Sequence, residues 1–154
     1  MKLIAHRGNI DGPNPLEENK PEYLEKALLE GFHVEIDIRY DTFNKKLYLG
    51  HDDPQYVIDW FWLSKYKDFL WIHCKNIEAL YEFSYGTSGF NYFWHQEDDF
   101  TLTSQGYIWT YPGKDINKNS IVVMPERVNN SIPDKIIPYG VCTDFCLQLS
   151  KSIK

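Results

Sequence analysis

The sequence predicts a single α/β domain over residues 1–154, built from parallel strands joined by crossover helices. Three observations predict it. Short runs rich in apolar, β-branched or aromatic residues recur along the chain, each followed by turn residues or a polar segment. Helical patterns alternate with those runs in the first half, as parallel strands require. From residue 96 onward the intervals shorten and fill with Gly, Pro, Asn and Asp, which leaves little room for helices. A (β/α) barrel typically takes about 250 residues. A barrel made from this chain is therefore a reduced one, with several later helices shortened or missing.

The expected strands are residues 2–5 (KLIA), 33–39 (HVEIDIR), 47–50 (LYLG), 70–74 (LWIHC), 91–95 (NYFWH), 107–110 (YIWT), 120–124 (SIVVM) and 139–143 (YGVCT). Between the first two lies KPEYLEKALLEG, where Tyr23, Leu24, Ala27 and Leu28 share a helical face and Gly31 stands at the expected stop. Further helices are expected over residues 58–67 and 76–85, and a hairpin turn near Asn44 and Lys45 leads into LYLG. No internal repeat, low-complexity tract or linker interrupts the pattern.

Composition narrows the function. At 154 residues and 43% hydrophobic content the chain can bury one core. Its 22 acidic and 16 basic residues give a formal charge of −6, the wrong sign for following a nucleic-acid backbone. An anionic small molecule is still accommodated where a cation reverses the field locally. MKLIAHRGN is too short in apolar residues for a signal peptide, and no stretch approaches the roughly 20 apolar residues of a membrane span. Cys74, Cys142 and Cys146 are odd in number, and the Cys142–Cys146 pair is remote from the third Cys and has no flanking His, so neither a disulfide framework nor a zinc site is expected. A cytoplasmic, reduced protein is the expectation, and the oligomeric state is open.

Three local signals carry chemistry. In HVEIDIRY the alternation sends Val34, Ile36 and Ile38 to one face and Glu35, Asp37 and Arg39 to the other. Two carboxylates then stand about 7 Å apart along one side of a strand. Burial would make them repel, and an oxygen-ligated divalent cation relieves that; solvated acids on a half-exposed strand are the alternative. His6 and Arg7 directly follow the first strand, where a parallel α/β fold places its ligand loops. Histidine exchanges a proton near neutral pH, and arginine offers a planar fork for phosphate oxygens. His51 with Asp52, after LYLG, is a candidate proton-transfer pair.

The order and spacing of these signals resemble the glycerophosphodiester phosphodiesterase family, within the wider group that includes the phosphatidylinositol-specific phospholipases C. The matching elements are Ile4-Ala5-His6-Arg7-Gly8, Glu18-Asn19, Ala27, Gly31, Glu35-Ile36-Asp37 and His51-Asp52. The close match covers residues 3 to 53; WIHCK at 71–75 and GVCTD at 140–144 align with two later strands of the family. The resemblance implies a TIM-type barrel hydrolysing a small glycerophosphodiester-like substrate with a divalent ion. Mg²⁺ or Ca²⁺ is expected, with Mn²⁺ or Zn²⁺ as softer alternatives. Glu35 and Asp37 would ligate the ion with Glu18 near it, Arg7 and Lys75 would bind the phosphate, and His6 and His51 would act as acid and base. Asn19 would order its loop. One position departs from the family pattern. His73 stands where a third carboxylate ligand is expected, and by alternation it shares a face with Trp71 and Lys75, which keeps it in reach of the ion. Glu97 is the other candidate for the missing oxygen, and His95 and Trp109 are candidate pocket residues. Two alternatives stand beside hydrolysis: a phospholipase-like lyase or transferase that forms a cyclic phosphate, and a barrel that binds a phosphorylated metabolite without turning it over.

Overall fold

The computed structural model describes residues 1–86, 89–129 and 136–153. Its strands are β1 (Lys2–His6), β2 (His33–Asp41), β3 (Lys46–Leu49), β4 (Tyr56–Ile58), β5 (Leu70–Cys74), β6 (Tyr92–Phe93), β7 (Phe100–Leu102), β8 (Ile108–Thr110), β9 (Ser120–Val123) and β10 (Gly140–Thr143). The helices among the described residues are α1 (Pro21–Leu29), α2 (Trp60–Tyr66), α3 (Ile77–Tyr85) and α4 (Cys146–Ser152).

The strands form one mixed sheet. Its parallel series runs β6, β5, β2, β1, β10, β9, β8, while β3 and β4 join β2 as antiparallel ribbons and β7 joins β8 the same way. The sheet curls into a half-barrel. Phe93 on β6 and Trp109 on β8 stand at opposite ends of the parallel series, yet their ring centroids are 4.4 Å apart. The seam between them is bridged by the segment around β7: Thr101 Oγ1 donates to the Trp94 carbonyl at 2.9 Å, and Ser104 N donates to the Tyr92 carbonyl at 2.9 Å.

This corrects the expectation of a TIM-type barrel. Ten strands meet only four helices of seven to nine residues among the described residues, so no ring of helices surrounds the sheet. The physical reason is chain length between strands. Residues 111–119 separate the parallel strands β8 and β9, fewer than the dozen or more that a helical crossover usually takes. Between β9 and β10 the described residues hold one 3₁₀ turn, Pro125–Val128. The first half follows the expected alternation with β4 added, and the second half adds β7 and α4. Both added strands are three-residue pieces at antiparallel edges, too short to show a period.

The helices form where the sequence supplies their ends. Pro21 starts α1 with its φ already helical, and Gly31 follows its end at φ +87. Asp59 caps α2 by accepting from Trp62 N, and Asn76 caps α3 by accepting from Ala79 N. The convex face of the sheet buries Val34, Ile36, Ile38 and Ile72 against Leu24 and Ala27 of α1, Leu63 of α2 and Phe83 of α3. The concave face carries a second core of Ile4, Trp71, Phe93, Trp109, Ile121 and Cys142. Glu35, Asp37 and His73 share that concave face by strand alternation.

Candidate functional site

Above this apolar floor, the carboxyl-terminal ends of β1, β2 and β5 bring polar groups together. The register pairs Asp37 with His73 and Glu35 with Trp71, which sets the imidazole beside both acids. His73 Nδ1 lies 3.4 Å from Asp37 Oδ1 and 3.5 Å from Glu35 Oε1. One ligand atom from each of these three residues falls within 4.8 Å of the others. Glu35 is 2% exposed and Asp37 is fully buried, so neither relies on water to stabilise its charge.

Two details fit this group to a cation. The His73 Nε2 atom is 2.8 Å from the His95 carbonyl, an acceptor only, so Nε2 carries the proton and a neutral ring turns its Nδ1 lone pair toward the carboxylates. That is the orientation a metal-binding imidazole takes when a backbone carbonyl holds its other nitrogen. Asp37 Oδ1 is buried and accepts no hydrogen bond among the described residues. A buried carboxylate oxygen left bare and facing a lone pair is costly without a positive charge between them.

The other Asp37 oxygen is held tightly. Asn19 Nδ2 donates to Asp37 Oδ2 at 2.9 Å, and Asp37 N donates to Asn19 Oδ1 at 3.0 Å. Arg7 Nε stands 2.8 Å from Asp37 Oδ2, but its N–H points off that line, making an ion pair and not an aligned hydrogen bond. Burial would raise the Asp37 pKa, yet the Arg7 charge foremost, together with the Asn19 bond, outweighs it and holds the carboxyl below its usual range. Arg7 and Asn19 are both left-handed non-glycine residues, at φ 52 and φ 63, and Asn19 N donates to the Arg7 carbonyl at 3.1 Å. Such conformations carry strain that persists where surrounding contacts enforce it.

Glu18 lies outside the three-residue group. Arg7 Nη1 donates to its Oε2 at 3.1 Å and Asn9 Nδ2 to its Oε1 at 2.9 Å, so it orients Arg7. Arg7 thus has carboxylate partners on two sides and a side chain that is still 21% exposed, although its Nε is buried.

His6 has a partner of its own. Its Nδ1 is 2.8 Å from Asp144 Oδ1 at the end of β10, which fixes the proton on Nδ1 and presents Nε2 for exchange. Burial opposes the charged form of His6, but the Asp144 bond and nearby Glu35 prevail and raise its pKa. Burial likewise opposes the Asp144 anion, and the His6 bond more than offsets it. Asn9 Nδ2 donates to Asp144 Oδ1 at 2.8 Å, while the Tyr23 hydroxyl donates to Asn9 Oδ1 at 3.1 Å.

His51 sits at the rim, its side chain 39% exposed and its Nδ1 2.6 Å from Asp52 Oδ1. It lines a cavity of about 260 Å³ with Arg39, Lys75, Trp94 and His95. Lys75 and His95 both line this cavity, whose lining does not include Glu35, Asp37 or His73, and His95 Nε2 donates to the Asp98 carbonyl. Two candidates do not. Glu97 is exposed on the surface loop and supplies no oxygen to the group, and Trp109 is only 4% exposed, packed on Phe93 and Trp71 as part of the concave core.

Sequence reasoning missed the roles of Asp144, Asn9 and Arg39. Arg39 had a signal, being the next residue of β2 after Glu35 and Asp37 on their face. Asp144 had only the alignment of GVCTD with a late strand of the resembled family, and Asn9 had none. No helix among the described residues is long and apolar enough to cross a membrane. No protein-family profile, curated protein or solved structure matches the chain.

Proposed function

We propose that the chain is a divalent-metal-dependent phosphodiesterase acting on a small glycerophosphodiester-like substrate. The observation that carries this reading is the convergence of Glu35, Asp37 and His73 around the bare Asp37 Oδ1, beside a His6–Asp144 pair. Glu35, Asp37 and His73 would hold the ion; when bound, it supplies Lewis-acid polarisation of a phosphoryl oxygen and neutralises its charge. The histidine donor widens the choice from Mg²⁺ or Ca²⁺ toward Mn²⁺ or Zn²⁺.

The chain's own groups do the rest. Arg7, pre-oriented by Glu18 and Asp37, offers its exposed edge to a phosphate oxygen, and Lys75 adds a second positive charge from the cavity. His6 presents Nε2 with its pKa raised, which suits it to hold a proton and deliver it to the departing oxygen. His51, with Nδ1 held by Asp52, takes the proton of the attacking oxygen. If that oxygen is water, the products are a monoester and an alcohol; if it is a neighbouring substrate hydroxyl, the product is a cyclic phosphate. A cavity of about 260 Å³ lined by Arg39, Lys75 and His51 favours a small polar headgroup over a nucleotide-sized one.

The test is cleavage of a simple diester by the purified protein with Mg²⁺, Ca²⁺, Mn²⁺ or Zn²⁺, followed by phosphorus NMR. His6→Ala and His51→Ala should each lower turnover by about 10²- to 10⁴-fold with unchanged circular dichroism. Substantial activity in either variant removes the two-histidine mechanism, and phosphate binding without turnover in the wild type favours the non-catalytic alternative.

A further inference from the structure

We propose that Arg39 is a positioning residue for His51, fixing the rim histidine to the strand that carries Glu35 and Asp37. This rests on the phosphodiesterase reading above. Arg39 lines the same cavity as Lys75, where a free guanidinium would be taken for a second phosphate ligand. Its geometry assigns it another task. Arg39 Nη2 donates to the His51 carbonyl at 2.6 Å, and Arg39 Nε donates to the Gly50 carbonyl at 3.3 Å. Two donors of one planar fork hold two consecutive carbonyls, which fixes the direction of the peptide between them.

The segment that Arg39 grips is shaped to be gripped. Gly50 N donates to the Asp37 carbonyl at 3.0 Å, so β2 holds this turn through its backbone as well as through Arg39. Gly50 has φ +145, and a Cβ there would lie 2.1 Å from the Asp53 carbonyl oxygen, so the turn closes only with glycine. Beyond Gly50 the restraints thin out. Asp52, the side-chain partner of His51, is itself 87% exposed, and no other side chain among the described residues bonds the backbone of 50–53.

Placing Glu35, Asp37 and Arg39 on one face of β2 therefore lets a single rigid strand set where the three-ligand group and His51 stand relative to each other. A loop histidine that drifts by an ångström loses alignment with the attacking oxygen, a displacement that costs on the order of 10²-fold in rate.

The experiment compares wild type, Arg39→Lys and Arg39→Ala in the full chain. Arg39→Ala should lower kcat by about 10- to 100-fold, the range typical when an outer supporting contact is removed, with KM and the affinity for inorganic phosphate within about twofold of wild type. Guanidinium chloride at non-denaturing concentration should restore part of the Arg39→Ala turnover, and Arg39→Lys, which keeps a single donor group, should fall between the two. The Arg39→Ala change should also broaden or shift the His51 imidazole signals in ¹H–¹⁵N spectra while leaving those of His6 in place. A loss confined to KM and phosphate affinity would show Arg39 to be a ligand, overturning the proposal. An unchanged kcat with unchanged His51 signals overturns it as well. If the wild type turns over no diester with any of the four metals, the phosphodiesterase reading fails, and the imidazole spectra alone decide whether Arg39 holds His51.

Discussion

Adding a divalent ion should raise the melting temperature by an amount that depends on Asp37. The unbound group is electrostatically unfavourable: Asp37 Oδ1 is buried without a hydrogen bond, and His73 Nδ1 stands 3.4 Å from it. An ion that binds only the folded chain stabilises it by about 2.7 kcal/mol at one hundred times its Kd. For a chain of 154 residues, each kcal/mol moves the melting point by roughly 2–4 °C. The expected rise is then about 5–11 °C, with a further 3–5 °C for each tenfold increase in metal once the site is saturated. That slope does not depend on the Kd, so it serves as the diagnostic. Differential scanning fluorimetry with MnCl₂, MgCl₂ and ZnCl₂, at ionic strength balanced with NaCl, measures it. Asp37→Asn keeps the shape and a possible Asn19 contact but removes the charge, and it should flatten the slope. Ions gathered by the exposed acids Glu97, Asp98 and Asp99 would raise the melting point equally in that variant. An equal slope in Asp37→Asn, or none in the wild type, refutes the assignment.

Two other outcomes are expected. The His6–Asp144 pair should give a bounded pH profile of stability. His6 has a raised pKa, so its contribution is complete below about 6.5 and is lost as pH rises through the folded value; Asp144 has a lowered pKa, so its contribution is complete above about 3.9 and is lost as pH falls through the folded value. The pair should therefore stabilise most between those limits, and in urea unfolding at pH 5.5 Asp144→Asn should cost about 1.5–3 kcal/mol, the range for a hydrogen bond to a charged group. A smaller loss at pH 5.5 than at pH 8.5 contradicts that sign. His73→Glu should shift relative affinity toward Mg²⁺ or Ca²⁺ over Zn²⁺ by about tenfold or more, equivalent to ~1.4 kcal/mol; calorimetric titration that returns the wild-type metal ranking defeats the claim that this imidazole is a ligand.

What could be read from the sequence was local, and what could not was topological. Alternation in HVEIDIRY and LWIHC correctly sent Glu35, Asp37 and His73 to one face, because a strand buried on both sides leaves no freedom in its period. Alternation cannot say how far a sheet curls or whether helices cover it, and the TIM-type expectation failed there. Trp109 shows the same limit. Its alternation is compatible with a pocket wall, but the curl brings Phe93 against it and makes it core. Asp144 is 138 residues from His6, and the two meet because β1 pairs with β10 in parallel. No nearby residue announces that pairing. Glu18 falls between these cases, since its closeness to the site was legible but its bonds to Arg7 and Asn9 depend on a loop fold that the local pattern does not specify.

Charge balance within the site ties these particulars together. The connected set contains four carboxylates, Glu18, Glu35, Asp37 and Asp144, against Arg7 and, when protonated, His6. With His6 protonated and His73 neutral, two negative charges remain uncompensated in a place where Asp37 is fully buried and Glu35 nearly so. A phosphodiester anion approaching that set would be repelled, and Lys75 at the cavity wall is a single positive charge that cannot cancel both. On the proposed reading, one divalent cation would supply the missing two, and its binding would turn the same cluster from a barrier into an anion site. On the metal-dependent reading, electrostatics predicts that the ion would have to bind before the phosphate, with Arg7 already held in place by Glu18 and Asp37.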